Sequence, residues 1–574
     1  MRTAGRWLLF VATVIAALAL AVGAYQLAST SWDAVVEYRS PFVERAVPAA
    51  AAPGSSVASR TVFVIIDGLR LDASRQMGTL QNLRAYGVDA TLTAPQPSLS
   101  YPNWTTLVSG AAPEVSGVVT NWHEGAAPAE TLFDTAQRAG VKTLFVGPED
   151  FDTLYGVSEK ADMTFMRPWS GEYLTATYVD EVLKLAAAEQ PRLIVVHLPD
   201  IDEAGHAHGG ASPEYAEAVA KVDADLNRLV EGLQDGDTAF VVAADHGHID
   251  TGGHGGWESD VVQVPGVFSG AGVAAIGRIE ARQEDVASSV SLLAGLPVPR
   301  HSLGTPLAAT AATASPQARQ AASAQADEMA RQYAIELGED LPAEEQRYLA
   351  DLANAAEPDP VTLVTAARDY RLDWDRSQRL TGIGTTLVLA ALLTLLFIAV
   401  AAWRPFVAAG AGTVAYYAVY NLLFFVVHGY AWSLSAFNSE DLIGAWMNGR
   451  MIEAAVAGLV GVAVAGLVYP LLRSAPKGPR GTYLAGWLTL GPLVALVAQL
   501  TLAVQAGIYL WAWGLYPTWR MPDLMWAFKY DLDLVQMTAL GAAVLLAPLV
   551  SYLVGRYHPM TRAPRTDSAA ADQA

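Results

Sequence analysis

Hydrophobic residues follow two different patterns along the chain. Between residues 60 and 310, apolar runs of four or five residues alternate with longer amphipathic segments. After residue 380, the apolar runs extend over about 20 residues, the length that an α-helix needs to cross the hydrocarbon core of a bilayer. The pattern therefore predicts a water-soluble part followed by a membrane-embedded part.

The short apolar runs are rich in β-branched residues, which is typical of strands buried on both faces. The predicted strands are Val62–Ile66, Thr143–Val146, Leu193–His197 and Ala239–Ala243. The predicted helices are Thr131–Ala139, Gly171–Ala188, Pro213–Leu233 and, less regularly, Leu307–Asp351. This alternation favours an α/β fold with a parallel-rich sheet sandwiched by helices.

Six segments are long and apolar enough to span a membrane, and the last five predict an all-α transmembrane bundle. They are Trp7–Ala24, Thr381–Trp403, Phe406–Val427, Ala454–Leu472, Tyr483–Leu510 and Leu534–Val554. A cleaved signal peptide is the alternative for the first, because it follows Arg2 and Arg6. Its 18 apolar residues exceed the apolar region of a signal, about 7–15 residues, so we expect an uncleaved anchor.

Charged residues between the spans predict their orientation, because basic residues favour cytoplasmic loops. The basic residues are Arg2, Arg6, Arg404, Arg473, Lys477, Arg480, Arg556, Arg562 and Arg565. The alternate loops carry Glu440, Asp441, Asp523, Asp531 and Asp533, with a rim of Trp432, Trp511, Trp513 and Trp519. We therefore expect six spans in the cell membrane, both termini in the cytoplasm, and an extracytoplasmic α/β domain.

Charge divides the chain at the same place. Residues 30–402 hold 49 acidic and 24 basic residues, whereas residues 403–574 hold 8 and 10, and the whole chain has a net charge of −21. An acidic chain argues against a nucleic acid partner, because phosphate binding requires a basic surface. The expected organisation is an anchor at 1–29, an α/β domain at 30–310, a helical linker region at 311–379, a five-span bundle at 380–556 and a tail at 557–574.

Candidate chemistry lies where the predicted strands end. Asp67 directly follows the first strand, at the edge where parallel sheets bind ligands. Alone, this Asp is equally explained as a turn or helix cap. The later strands are followed by Asp202 and His206, by Asp245 and His246, and by His254 in a glycine-rich loop with no evident packing role. Carboxylates and imidazoles that leave neighbouring strand ends are typical of a two-metal hydrolytic site.

Ser100 is the candidate nucleophile. It comes just before Pro102, which predicts the first turn of a short helix. The N-terminus of a helix favours an anion, and a nearby metal lowers the pKa of a hydroxyl. The alternative is that Ser100 only caps the helix.

These segments resemble the alkaline phosphatase superfamily, in its type I phosphodiesterase/nucleotide pyrophosphatase branch and close to the glycosylphosphatidylinositol ethanolamine phosphate transferases. The segments that carry the resemblance are Val64–Arg70, Ser100–Asn103, Asp202–His206, Asp245–Gly247 and Gly253–Gly256. The stretch His197–Val222 is more similar to the transferases, which also combine an N-terminal anchor, an outward catalytic domain and membrane spans.

The resemblance implies two divalent metal ions, most readily Zn²⁺, and assigns their ligands. Asp67, Ser100, Asp245 and His246 would hold one ion, and Asp202, His206 and His254 the other. Ser100 would form a phosphoserine intermediate, and Asn121 would bind the phosphate. The family pattern gives no role to His208 or His248, which we expect in an outer shell or at the surface, and His197 is expected at its strand end.

The combined prediction is a membrane-anchored phosphodiesterase or phosphohydrolase that acts on an extracytoplasmic phosphoester, including lipid-linked ones. A phosphoethanolamine-type transferase that acts on a lipid or glycan is the alternative within the same chemistry. A transporter or sensor with a non-catalytic outer domain is the alternative from another class. Against a transporter, the predicted spans contain almost no charge, and Glu453 and His428 are expected at span ends.

Overall fold

The computed structural model describes residues 2–43, 47–48, 56–169, 171–311, 314–355, 359–400, 403–439, 442–472 and 486–557. At 2–6, 8–9 and 381–400 it describes the helix backbone alone. The predicted basic segment 473–482 and most of the predicted tail therefore lie outside the described residues.

An eight-stranded sheet forms the centre of the α/β domain at 30–310, which is called the outer domain after its predicted location. Its strands are β1 (Arg60–Ile66), β2 (Gly87–Thr93), β3 (Thr143–Pro148), β4 (Met163–Arg167), β5 (Leu193–Leu198), β6 (Thr238–Ala244), β7 (Gln263–Gly270) and β8 (Gly277–Arg282). The strand order is β4-β3-β5-β1-β6-β7-β2-β8. All neighbours pair in parallel except β7, which runs antiparallel to β6 and β2. The predicted parallel-rich sheet is confirmed.

Helices cover the sheet and continue into the linker region. In the outer domain they are Leu71–Ser74, Gly78–Ala85, Ser100–Ser109, Pro113–Ser116, Leu132–Ala139, Asp150–Tyr155, Val157–Lys160, Thr175–Glu189, Asp200–His208, Pro213–Leu233, Ser259–Val262, Asp285–Ala294, Ala308–Ala311, Pro316–Gly338 and Ala343–Ala353. The apolar side chains of β1, β5 and β6 are buried between the helix layers, because both faces of a central parallel strand are covered.

Four strands were not predicted from the sequence. β4 and β8 lie at the two edges of the sheet and carry few fully buried residues, so their apolar pattern is weak. β7 contains Pro265 and Gly266, which usually interrupt strands. Gly266 is required by packing, since a Cβ there would lie 2.7 Å from the side chain of Leu92 on β2.

The apolar half of the chain forms a helical bundle. Its helices are Arg2–Val36, Pro360–Val400, Trp403–Asn421 with a π-helical extension Leu422–Val427, Ile443–Leu471, Leu490–Trp513, Leu524–Ala543 and Ala547–Tyr557. By length and composition, four helices of the described part can cross a membrane, and the last two helices form a fifth candidate that is bent by 60°. The side chains of the predicted span Thr381–Trp403 lie almost wholly outside the described residues.

The first apolar helix packs inside this bundle. Gln499 Nε2 donates to the carbonyl of Ala17 at 3.0 Å, and Ala17 and Ala24 are fully buried against neighbouring helices. Gly541 approaches so closely that a Cβ there would lie 2.2 Å from the side chain of Ala21. The segment predicted as an anchor therefore contributes directly to the packing of the bundle.

Charged pairs lie within the apolar helices, just before the predicted spans begin or after they end. Glu453 is ten residues inside the helix Ile443–Leu471, where Arg450 donates to it at 2.6 Å and His428 contacts it at 2.8 Å. Lys529 and Asp533 pair within Leu524–Ala543 at 2.5 Å. These helices begin earlier than the apolar runs that predicted them, so Glu453 and His428 lie at the ends of the predicted spans, as expected.

Candidate active site

Three buried carboxylates meet at the carboxyl edge of the central strands. Asp67 follows β1, Asp245 follows β6, and Asp202 lies in the helix Asp200–His208 that follows β5. Since β1 pairs with both β5 and β6, the three strand ends are neighbours. The side chains are buried, with at most 6% of each residue exposed.

Imidazoles complete the cluster. Three groups have ligand atoms that all lie within 4.8 Å of one another, and these are Asp67/Asp245/His246, Asp202/His246/His254 and Asp202/His206/His248. His206 Nε2 lies 3.3 Å from Asp202 Oδ2 and 3.2 Å from His254 Nε2. The structure thus brings together all six Asp and His residues that the sequence singled out as ligands.

Burial and mutual repulsion govern protonation in this cluster. Burial and the neighbouring carboxylates of Asp245 and Asp202 raise the pKa of Asp67 well above its ordinary value. Burial alone would raise the pKa of Asp202, but the imidazoles of His206 and His248 hold it well below its usual range. Although burial opposes it, the carboxylate of Asp202 raises the pKa of His206 to about 9. In the absence of a bound cation, protons on Asp67 and His206 therefore balance part of the negative charge.

The donor set fits divalent cations. Asp67 Oδ1 is buried and accepts no hydrogen bond from any described residue. A buried, unsatisfied carboxylate oxygen is costly unless a cation or donor compensates it. Carboxylate oxygens and imidazole nitrogens are the ligands that Zn²⁺ and related ions take in catalytic sites. Asp67, Asp245 and His246 would hold one ion, and Asp202, His206 and His254 the other.

Ser100 faces this cluster from the first turn of the helix Ser100–Ser109. Its Oγ lies 3.2 Å from His246 Nε2. Leu99 occupies the N-cap position of the helix, so Ser100 is not the cap that the alternative reading required. The same helix is bound to Asp245. Trp104 Nε1 donates to its carboxylate at 2.8 Å, and Asn103 Nδ2 donates to its backbone carbonyl at 3.0 Å.

Asn121 lies next to the nucleophile candidate. Its Oδ1 accepts a hydrogen bond from the backbone N–H of Tyr101 at 2.9 Å. Both residues line a cavity of about 390 Å³ together with Ser100, Asp202 and His206. Asn121 and the nucleophile candidate Ser100 therefore line the same cavity.

Two histidines contribute more than the sequence indicated. His248 is fully buried, and its Nε2 lies 2.7 Å from Asp202 Oδ1, so a surface position is wrong. His197 ends β5 as expected, and its Nε2 lies 3.0 Å from Asp67 Oδ2. Burial lowers the pKa of His197 to about 3 and that of His248 to about 4, so both imidazoles are neutral partners of the carboxylates. His208 is exposed, as expected.

The cavity wall includes a segment that was not predicted to be near the site. Phe437, Asn438 and Ser439 follow the apolar helix Trp403–Asn421 and line the cavity opposite Tyr101 and Trp169. No local motif in the sequence marks them, because the contact depends on how the bundle packs against the outer domain.

The sequence of the domain that carries this site matches a known family. Residues 61–344 match the family described as type I phosphodiesterase/nucleotide pyrophosphatase. The match confirms the resemblance found in the sequence.

Curated relatives carry the name of the transferases. GPI ethanolamine phosphate transferase 1 of Mus musculus is 26% identical over 325 residues, which covers 47% of this chain and 34% of the relative. The catalytic subunit of GPI ethanolamine phosphate transferase 2 of Homo sapiens is 25% identical over 271 residues, covering 43% and 27%. The chain thus spans about a third of the length of the relatives it matches.

The matched solved structures cover a similar share of this chain, but a larger share of their own length. Murine ectonucleotide pyrophosphatase/phosphodiesterase 5 has a TM-score of 0.37 and 15% identity, covering 42% of this chain and 96% of its own. The phosphonate monoester hydrolase of Agrobacterium radiobacter has a TM-score of 0.36 and 16% identity, covering 45% and 78%.

We predict two divalent metal ions per chain in the purified protein. His206→Ala should reduce the metal content to one ion per chain, because it removes one imidazole ligand of the ion expected at Asp202, His206 and His254. His208→Ala is the matched control, since His208 is exposed on the same helix and should keep both ions. Elemental analysis of folded, active protein checks this. Full activity without any bound metal would contradict the site.

Proposed function

We propose that this chain is a membrane-anchored, two-metal phosphodiesterase or phosphotransferase that acts on an extracytoplasmic phosphoester through a phosphoserine at Ser100. The main support for this function is the position of the Ser100 hydroxyl. A hydroxyl at a helix N-terminus lies 3.2 Å from His246 in a cluster of three buried carboxylates and several imidazoles. A purely structural role would not require so many buried titratable groups in one cavity.

The bound cations, the helix N-terminus and Asn121 would each have a different role in the reaction. When bound, divalent cations, most readily Zn²⁺, would neutralise the phosphoryl oxygens and lower the pKa of the Ser100 hydroxyl. The helix that begins at Ser100 directs its N-terminal dipole at the anionic phosphoryl group. Asn121, which lines the same cavity as Ser100, would hold a phosphoryl oxygen.

The reaction then has two displacements at phosphorus. Ser100 Oγ forms a bond to phosphorus while the bond to the leaving alcohol oxygen breaks, and the proton of Ser100 leaves with the alcohol. Water or an acceptor hydroxyl next attacks the phosphoserine, and its proton returns to Ser100 Oγ. If water attacks in this second step, the enzyme is a hydrolase. If an acceptor hydroxyl attacks, it is a transferase.

The contacts of the bundle support the proposed topology of six spans, with an uncleaved first span. Both loops predicted to lie outside contact the outer domain or its linker. Trp257 Nε1 donates to the carbonyl of Trp432 at 3.0 Å, and Trp519 Nε1 donates to Asp375 at 3.0 Å. One face of the bundle therefore carries the outer domain, as an extracytoplasmic location requires.

Cysteine labelling tests this topology, because the chain has no cysteine of its own. Ala220→Cys, at an exposed position of the outer domain, should react with a membrane-impermeant maleimide in intact cells. Ser568→Cys, in the predicted cytoplasmic tail, should react only after permeabilisation. Equal labelling of both positions in intact cells would overturn the topology.

Ser100→Ala tests the covalent mechanism. It should preserve the fold and lower turnover by roughly a thousandfold or more, because the nucleophile is lost. Ser100→Thr should retain substantial activity, since it keeps a hydroxyl at the same position. Rapid-quench mass spectrometry should find a phosphoryl group on the wild-type peptide that contains Ser100. Near-wild-type turnover of Ser100→Ala would exclude the phosphoserine.

A second cavity favours a lipid-linked substrate, which is compatible with a phosphoethanolamine-type transferase as the second candidate. It lies between the outer domain and the bundle, shares Leu99 and Phe437 with the catalytic cavity, and is mostly apolar. Its walls include Trp32, Trp122, Trp513, Trp519 and Ala527. An apolar chain held there would place its phosphate head group at Ser100. The names of the curated relatives point in the same direction.

Two substrates that share a head group but differ in their acyl chains separate an enzyme that binds the lipid chains from a hydrolase that does not. Ala527→Trp should lower kcat/KM for a diacyl glycerophosphoethanolamine by roughly tenfold or more, because it fills the apolar cavity. The same variant should leave kcat/KM for glycerophosphoethanolamine unchanged. Ala445→Trp, at an exposed position of the bundle, is the control. Equal effects on both substrates would contradict a lipid-chain site.

A further inference from the structure

A loop from the membrane bundle is bound to the glycine-rich segment of the candidate active site. We define the bundle loop as Trp432–Ser439, which precedes the helix Ile443–Leu471. The backbone N–H of Gly256 donates to Ser435 Oγ at 3.2 Å, and Ser435 Oγ donates to Glu258 at 3.0 Å. These bonds connect the loop directly to the segment that carries His254.

The glycines next to His254 make this contact possible. A Cβ at Gly253 would lie 2.3 Å from the carbonyl oxygen of Ser435, and one at Gly256 would lie 1.9 Å from Ser433 Oγ. Gly253 also has a φ of +99°, which side chains rarely adopt. The expectation that this glycine-rich segment has no packing role is therefore wrong, because it accommodates the bundle loop.

Asn438 extends from the bundle loop to a candidate metal ligand. Its Nδ2 donates to the backbone carbonyl of His206 at 2.8 Å, and its Oδ1 lies 3.3 Å from His206 Nδ1. The backbone of Asn438 has a φ of +62° and a ψ of −46°, a region that residues other than glycine seldom occupy. Strained residues of this kind persist where the surroundings hold them in place, often at functional sites.

The contact determines which nitrogen of His206 is available. If Nδ1 carries the proton and donates to Asn438, the lone pair of Nε2 points at the cluster, where Asp202 Oδ2 lies 3.3 Å away and His254 Nε2 3.2 Å away. Ligating imidazoles usually donate their other N–H to such an outer partner, which fixes the tautomer and the ring orientation.

We propose that Asn438 is a positioning residue that orients His206 for metal binding, so that the membrane bundle completes the active site. The inference rests on the proposed function, because it takes His206 as a metal ligand. Loss of an outer partner of this kind typically weakens metal affinity by about 10–100-fold.

Asn438→Gly in the full-length protein separates the side chain from the backbone. Glycine tolerates the positive φ but removes the amide. Titration of chelator-treated protein with Zn²⁺ against a chromophoric competitor should show one of the two ions bound about 10–100-fold more weakly. Asn438→Asp, which keeps an acceptor for His206 Nδ1, should lie closer to the wild type. Asn448→Ala, at an exposed amide of the next helix, is the matched control and should match the wild type.

The outcomes separate this inference from the proposed function. In the presence of chelator, Asn438→Gly should melt close to the wild type, and only its stabilisation by added Zn²⁺ should be smaller. Wild-type affinity for both ions in Asn438→Gly would overturn the positioning role and leave the metal site intact. A wild-type chain that binds no divalent ion would overturn both the inference and the proposed function.

Discussion

The central constraint on this molecule is the burial of three carboxylates at one point of the sheet. Asp67, Asp202 and Asp245 are each almost inaccessible to solvent, and they lie in overlapping groups of ligand atoms. Like charges in a medium of low dielectric constant repel strongly, so the cluster is stable only with compensating positive charge or protons. The raised pKa of Asp67 expresses this cost, and burial is its largest cause.

Hydrogen-bond donors around the cluster partly offset the free-energy cost of burying the carboxylates. Backbone N–H groups of Gly68 and His246 donate to Asp245 Oδ1 at 3.1 and 2.8 Å, and Trp104 donates to its other oxygen. His197 and His248 lie against Asp67 and Asp202. Fixed donors of this kind hold the carboxylates in place before any cation binds, which is the preorganisation that electrostatic catalysis requires. The bundle loop belongs to the same arrangement, because it contacts His206 through Asn438.

Local sequence signals were sufficient for the central strands and for bringing the ligand candidates together. Asp67 and Asp245 follow their buried runs within two residues, and Asp202 and His206 lie in the helix after β5, so their closeness could be predicted from strand ends. Strand β7 could not be predicted, because Pro265 and Gly266 are tolerated only through its pairing with β2 and β6. His248 and Asn438 could not be assigned either, since their contacts join segments that are far apart in the chain.

The most direct test of the account is anomalous diffraction from crystals of the full-length protein, recorded at the absorption edge of the bound metal. A two-metal site should give two peaks about 3.5–4 Å apart, one beside Asp67, Asp245 and Ser100 and the other beside Asp202, His206 and His254. Peaks remote from these residues, or none in crystals of active protein, would contradict the claim that the buried carboxylates form a two-metal phosphoester site.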